Sequence, residues 1–126
     1  METKENLLRN FNNAFANADI ELLSTCITDD ISWNVIGELP INGKDDFLNA
    51  FTCMLDHKTE EMKIYNIIVS GQQGVVDGTM TIVDPTGKRK TYEYCDLYRF
   101  SDAEENKIQD IKSFVLEPKK EMQHIL

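Results

Sequence analysis

The stretch TYEYCDLYRF, residues 91–100, decides how this chain is read. Its even positions are Tyr92, Tyr94, Asp96, Tyr98 and Phe100, and its odd positions include Glu93, Cys95, Leu97 and Arg99. Alternate side chains of a strand share a face. Four aromatics and one carboxylate therefore lie on the same side. Such an acid has three explanations: the face is wet, the acid is paired, or the face lines a pocket.

Working outward, DPTG at 84–87 is a turn, with Pro85 preset for its second position and Gly87 free to take a positive φ. VVDGTMTIV at 75–83 reads as the strand entering that turn, and EMKIYNIIVS at 61–70, closed by GQQG, as the one before it. SDAEEN is a polar reversal, and KIQDIKSFVL at 107–116 is a last strand.

The first half reads differently. Leu7, Leu8, Phe11, Ala14, Phe15 and Ala18 recur at helical spacing, predicting a helix over 3–17. Asp19 suits the N-cap of a shorter helix carrying Ile20, Leu22, Leu23, Cys26 and Ile27. TDD at 28–30 breaks that pattern, ISWNVIG at 31–37 is strand, and ELPING at 38–43 is loop. A third helix is predicted over 44–57, with Phe47, Leu48, Phe51, Met54 and Leu55 on one side. Residues 117–126 are read as a C-terminal tail.

The order α-α-β-α-β-β-β-β is an α+β pattern with an antiparallel meander, in one domain over 1–126. Long strands twist and curve. Helices closing the concave side of a curved sheet leave a conical cavity, a natural place for a small molecule.

Composition narrows the partners. The 22 acidic residues against 13 basic ones give a net charge of −9, which repels a phosphate backbone, so nucleic acid is not expected. No apolar run approaches the roughly 20 residues of a membrane span, and METKENLLRNF lacks the apolar segment of a signal peptide. Three cysteines far apart, Cys26, Cys53 and Cys95, suit a reducing compartment, and the expected location is the cytoplasm. His57 and His124 have no companions at ligand spacing, so neither metal nor cofactor is expected.

Two segments, ANADIELLSTCITDDISWNVIGELPINGKDDFLNAF (16–51) and YEYCDLYRFSDAEENKIQDIKSF (92–114), resemble the NTF2-like superfamily, in particular its SnoaL-like and ketosteroid-isomerase-like branch. The matching features are the acid opening the second helix, the acidic pair before the first strand and the Trp within it, the P-x-x-G loop, and the D-x-Y-R-F…K-I pattern. The resemblance implies a cone-shaped curved antiparallel sheet with the N-terminal helices packed on its concave face, a cystatin-like roll. It implies no single function, because unrelated activities share this fold.

Residue by residue, the isomerase-like relatives imply a general-base Asp where this chain has Asn34 and an oxyanion-binding Tyr where it has Phe11. Their protonated Asp, a carboxylic acid kept neutral by an apolar site, matches Asp96. The acid of cyclase-like relatives falls on Val115, and the Asp-Arg-Asp set of epoxide-hydrolase relatives is not reproduced around Asp77 and Thr79.

The expected pocket comprises Phe11, Phe15, Trp33, Asn34, Tyr94, Asp96, Tyr98 and Phe114, with Asp96 the one candidate catalytic group and partly protonated near neutral pH. Each has a plainer reading. Asp96 could be a structural acid bonded to a tyrosine, Trp33 a core residue, Asn34 a strand-edge amide, and the tyrosines simple packing against the first helix. The function expected is binding of a small hydrophobic molecule. The alternative is an isomerase, cyclase or lyase acting on a small carbonyl or polyketide-like compound with Asp96 as acid. The mixed outer face, with Val75, Thr79, Leu97 and their neighbours, is expected to pair in a homodimer.

Overall fold

The computed structural model describes residues 3–53 and 56–118. Three helices, α1 (Lys4–Ala16), α2 (Ile20–Cys26) and α3 (Lys44–Thr52), join six strands. These are β1 (Ile27–Val35), β2 (Ile41–Asn42), β3 (Lys58–Ser70), β4 (Gln73–Val83), β5 (Arg89–Phe100) and β6 (Ile108–Leu116). The sheet order is β2-β1-β6-β5-β4-β3. β1 runs parallel to β6, and every other pairing is antiparallel. This is the expected α+β architecture: a curved open sheet with helices laid across it.

Local chemistry sets the boundaries. The Thr3 hydroxyl accepts from the Asn6 backbone N–H at 3.0 Å and caps α1. The Asp19 carboxylate accepts from Leu22 N–H at 3.1 Å and caps α2. Asp84 organises the β4–β5 turn, accepting from Thr86 N–H, Thr86 hydroxyl and Lys88 N–H at 2.9, 2.6 and 3.0 Å. Gly87 sits at φ +87°, which a side chain would strain.

Several boundaries differ from the sequence reading, β3 starting at Lys58 rather than 61 and β4 at Gln73 rather than 75 among them. β1 begins at Ile27, because TDD continues the strand: Ile27 and Thr28 are buried, Asp29 and Asp30 face water, and the register with β6 shifts between Ile27 and Ser32. The loop at 38–43 contains the two-residue strand β2, paired to Ser32 and Trp33. α3 ends at Thr52 rather than 57. Met54, Leu55 and most of the expected tail, 119–126, lie outside the described residues.

The inner face of the sheet carries Ile31 and Trp33 on β1, Val76 on β4, Tyr94, Tyr98 and Phe100 on β5, and Ile108 and Ile111 on β6, all buried. Leu7, Leu8, Phe11 and Ala14 of α1 cover it. An aromatic cluster fills the end under α3: Trp33 stacks on Phe51 at 5.8 Å, and Phe15 meets Phe51 edge-on at 4.6 Å. Two glycines of β4 make room for this packing. A Cβ on Gly74 would stand 2.8 Å from Leu8 Cδ1, and one on Gly78 would strike the Lys63 carbonyl of β3.

Candidate functional site

Between α1 and the sheet lies a cavity of about 40 Å³. α1 supplies Phe11, Asn12 and Phe15, β1 supplies Trp33, and β3 and β4 supply Met62 and Met80. β5 adds Tyr94 and Asp96, and β6 adds Ser113 and Val115. The walls are mostly carbon, and Asp96 is the only ionisable carboxyl among them.

Asp96 is held by two hydroxyls. Tyr98, two residues along the same strand face, donates to Asp96 Oδ2 at 3.0 Å. Ser113, directly opposite on β6, also hydrogen-bonds the carboxyl. Each hydroxyl oxygen accepts in turn from an N–H. Trp33 Nε1 donates to Ser113 Oγ at 2.9 Å, and Asn12 Nδ2 donates to the Tyr98 hydroxyl at 3.3 Å. Asn12 is 3% exposed, and its amide orientation is fixed because Nδ2 also donates to the Leu8 carbonyl at 2.8 Å. Its Oδ1 accepts from the Tyr94 hydroxyl at 3.5 Å.

Burial pushes the Asp96 carboxyl above its ordinary range, and the Ser113 and Tyr98 hydroxyls oppose that shift. Burial, aided by the Asp96 charge, also raises the phenols of Tyr94 and Tyr98. The sequence reading supplied the desolvation, which is the larger effect, and missed the Ser113 hydroxyl that opposes it.

Of the residues expected to form one pocket, Phe11, Phe15, Trp33, Tyr94 and Asp96 line the cavity together. Tyr98 stands behind Asp96, 2% exposed, its hydroxyl turned to Asp96 and Asn12. Asn34 and Phe114 are corrections, because both belong to the opposite face. β1 turns Ile31 and Trp33 inward, so its alternation turns Asn34 out into a shallow groove with Ser32, Leu97, Arg99, Asp110 and Lys112. On β6, Ser113 and Val115 point inward, and Phe114 is 38% exposed beneath the Lys112 ammonium. Asp77 also faces outward, accepting from Asn66 Nδ2 at 2.9 Å.

Sequence reasoning missed Asn12, Ser113, Met62 and Met80. Asn12 carried a legible signal: it follows Leu8 by four and precedes Phe15 by three, inside the apolar stripe of α1. Among the described residues, no three His, Cys, Asp or Glu side chains gather as a metal site. No helix of the described residues is long and apolar enough to cross a membrane.

A family model described as the SnoaL-like domain matches residues 8–110. The chain belongs to the SnoaL-like domain family. Solved structures agree with the fold of this SnoaL-like domain. An NTF2-like protein of unknown function from Cytophaga hutchinsonii is 28% identical, with a TM-score of 0.69 over 90% of this chain and 100% of that one. An LEH-like epoxide hydrolase from M. tuberculosis has a TM-score of 0.79 at 18% identity, covering 90% of this chain and 82% of that one. A ketosteroid isomerase-like protein from Erwinia carotovora atroseptica has a TM-score of 0.70 at 20% identity, covering 90% and 94% respectively. At such identities the last two likenesses concern the fold alone. No protein of curated function matches the sequence significantly.

The inward residues of β1 bear on isomerase-type chemistry in this SnoaL-like domain. Ile31, Trp33 and Val35 share the inner side, and none can accept a proton. The family's general-base position, matched by sequence to Asn34, therefore has no acid or base directed at the cavity from this strand.

Proposed function

We propose that this SnoaL-like domain binds a small, largely apolar molecule in the cavity between α1 and the sheet, with Asp96 as its polar anchor. The observation that carries this reading is a part-buried carboxyl on a mostly carbon wall that includes Phe11, Phe15, Trp33, Met62 and Met80. A cavity of about 40 Å³ holds a few water-sized centres. The ligand is therefore compact, or it enters by displacing the unbranched Met62 and Met80 side chains, whose thioethers repack readily. A second depression of about 150 Å³ lies beside Phe51, His57 and Ile82, and Phe15 lines both it and the first cavity.

A second reading is acid catalysis on a small carbonyl compound with Asp96 as proton donor. The raised carboxyl pKa favours it, and the absence of a base on the inner face of β1 speaks against it.

Trp33 is the chain's one tryptophan and lines the cavity, so its emission is the natural reporter. Mass spectrometry of native protein should reveal a co-purifying small molecule, and its removal should shift Trp33 fluorescence. Protein that carries nothing, and whose emission no small apolar compound changes, would remove the binding reading.

The domain acts as a homodimer through its outer sheet face, where Leu97, Phe114 and Leu116 are exposed side by side on β5 and β6. Cys26, Cys53 and Cys95 remain thiols, which suits a reducing cytoplasm.

A further inference from the structure

The hydrogen-bond network around Asp96 has a direction, and this direction selects the ligand. Trp33 Nε1 can only donate, so Ser113 accepts from it and turns its own hydrogen toward Asp96. Asn12 Nδ2 can only donate, so Tyr98 accepts from it and turns its hydrogen toward Asp96 as well. The orientation of Asn12 is not free, because the Leu8 carbonyl accepts its other Nδ2 hydrogen. The Tyr94 hydroxyl is directed at Asn12 Oδ1.

Two chains of donors thus end on one carboxyl, and the Ser113, Tyr98 and Tyr94 hydroxyl hydrogens are all engaged within the protein. A pocket that held an oxyanion or a carbonyl would need free donors on its wall. This wall offers the reverse. Asp96 lines the cavity, and the two donors that reach it favour its charged form against the burial that raises its pKa. Among the described residues no cation lines the cavity. Among the described ion pairs none involves Asp96. Buried carboxylates are ordinarily matched by a cation. The cavity is lined by Phe11, Phe15, Trp33 and Tyr94, aromatic rings whose π-faces attract a positive head group.

We infer that the cavity takes a small aliphatic amine, bound as its ammonium ion with N–H donated to Asp96 and its alkyl part against Met62 and Met80. The inference rests on the small-molecule reading above and assigns the chemical class within it.

The test compares n-butylamine, cationic at neutral pH, with 2-pentanone, a neutral acceptor of similar size. Each is titrated into the purified full chain at pH 7 while Trp33 emission and the thermal midpoint are followed. The expected result is at least tenfold tighter binding of butylammonium. In Asp96→Asn that affinity falls at least tenfold while the response to 2-pentanone is retained, since the amide keeps the shape of the site. The wild-type comparison decides the matter alone where the variant does not fold. Equal or tighter binding of 2-pentanone overturns the amine assignment and leaves the binding pocket standing. No response to either compound at millimolar concentration overturns both.

Discussion

Tyr98 donates its hydroxyl to Asp96 at 3.0 Å, across the two-residue step that puts both on one face of β5. The phenol is thereby a fixed part of the carboxyl's environment. Tyr98→Phe removes one of two donors from a buried acid and leaves an Asn12 Nδ2 hydrogen unmatched. The expected loss of stability is about 2 kcal/mol, read by urea unfolding. The Asp96 carboxyl pKa, followed by carbon-13 NMR, should rise further. A pKa unchanged by the substitution would place the phenol outside the network.

The pH dependence has a definite sign. Burial raises the folded-state pKa of Asp96 above the unfolded value of about 3.9. Between the two values the folded state holds more proton than the unfolded state, so stability falls as pH rises through that window. Asp96→Asn lacks this proton. The unfolding free energy of the wild type relative to Asp96→Asn should therefore be highest near pH 3 and decline from about pH 4 upward. It should level off once Asp96 is ionised in the folded state. A difference that stays flat across the range would put the carboxyl in water.

Gly78→Ala tests the wall of the cavity. The added methyl would meet the Lys63 carbonyl of β3 and stand 3.1 Å from the Tyr94 hydroxyl. Backbone cannot yield as a flexible side chain can, so the β3–β4 pairing must shift. A cost of about 1–3 kcal/mol is expected. A fully stable variant with unchanged Trp33 emission would contradict the close approach of the two strands.

Light scattering should report twice the 14.5 kDa chain mass at micromolar concentration. Leu97→Glu on the outer face should shift the protein toward monomer without changing Trp33 emission, because Leu97 faces away from the cavity. Monomer at every concentration would exclude pairing through this face.

Ketosteroid isomerisation should be absent. Phe11 offers no hydroxyl, and the inner side of β1 offers no base. Loss of a general base alone removes roughly 10²–10⁴-fold in rate. Robust turnover of a Δ5-3-ketosteroid would reveal a base elsewhere in the domain.

Elements were legible in the sequence wherever a period ran long enough to be read. The twelve residues of β5 alternate with few interruptions, and the apolar stripe of α1 is unbroken from Leu7 to Phe15. Short or irregular pieces were not legible. β2 has two residues, and the start of β1 hides behind Asp29 and Asp30, polar residues that a bulged strand end turns to water. The site was legible by parity and went wrong by parity. Asp96 follows from alternation inside its own strand. Asn34 was placed by counting from Gly43, and it lies one residue from the inward Trp33, which is a full reversal of face. Ser113 was passed over for its larger neighbour Phe114, although the alternation from Ile111 points to the serine. The inward placement of Asn12 was legible in the α1 stripe, but its partners were not, since they lie 82 and 86 residues away on β5.

The parallel seam of β1 with β6 joins the cavity from distant parts of the chain. β3 to β6 form from successive antiparallel reversals, each closing between neighbours in the chain. Trp33 meets Ile111 and Ser113 across a large sequence separation, 80 residues to Ser113, the kind of non-local contact that slows folding. The β1 and α1 residues laid against the meander are what shield the Asp96 carboxyl from solvent, so the site belongs to neither half of the chain alone.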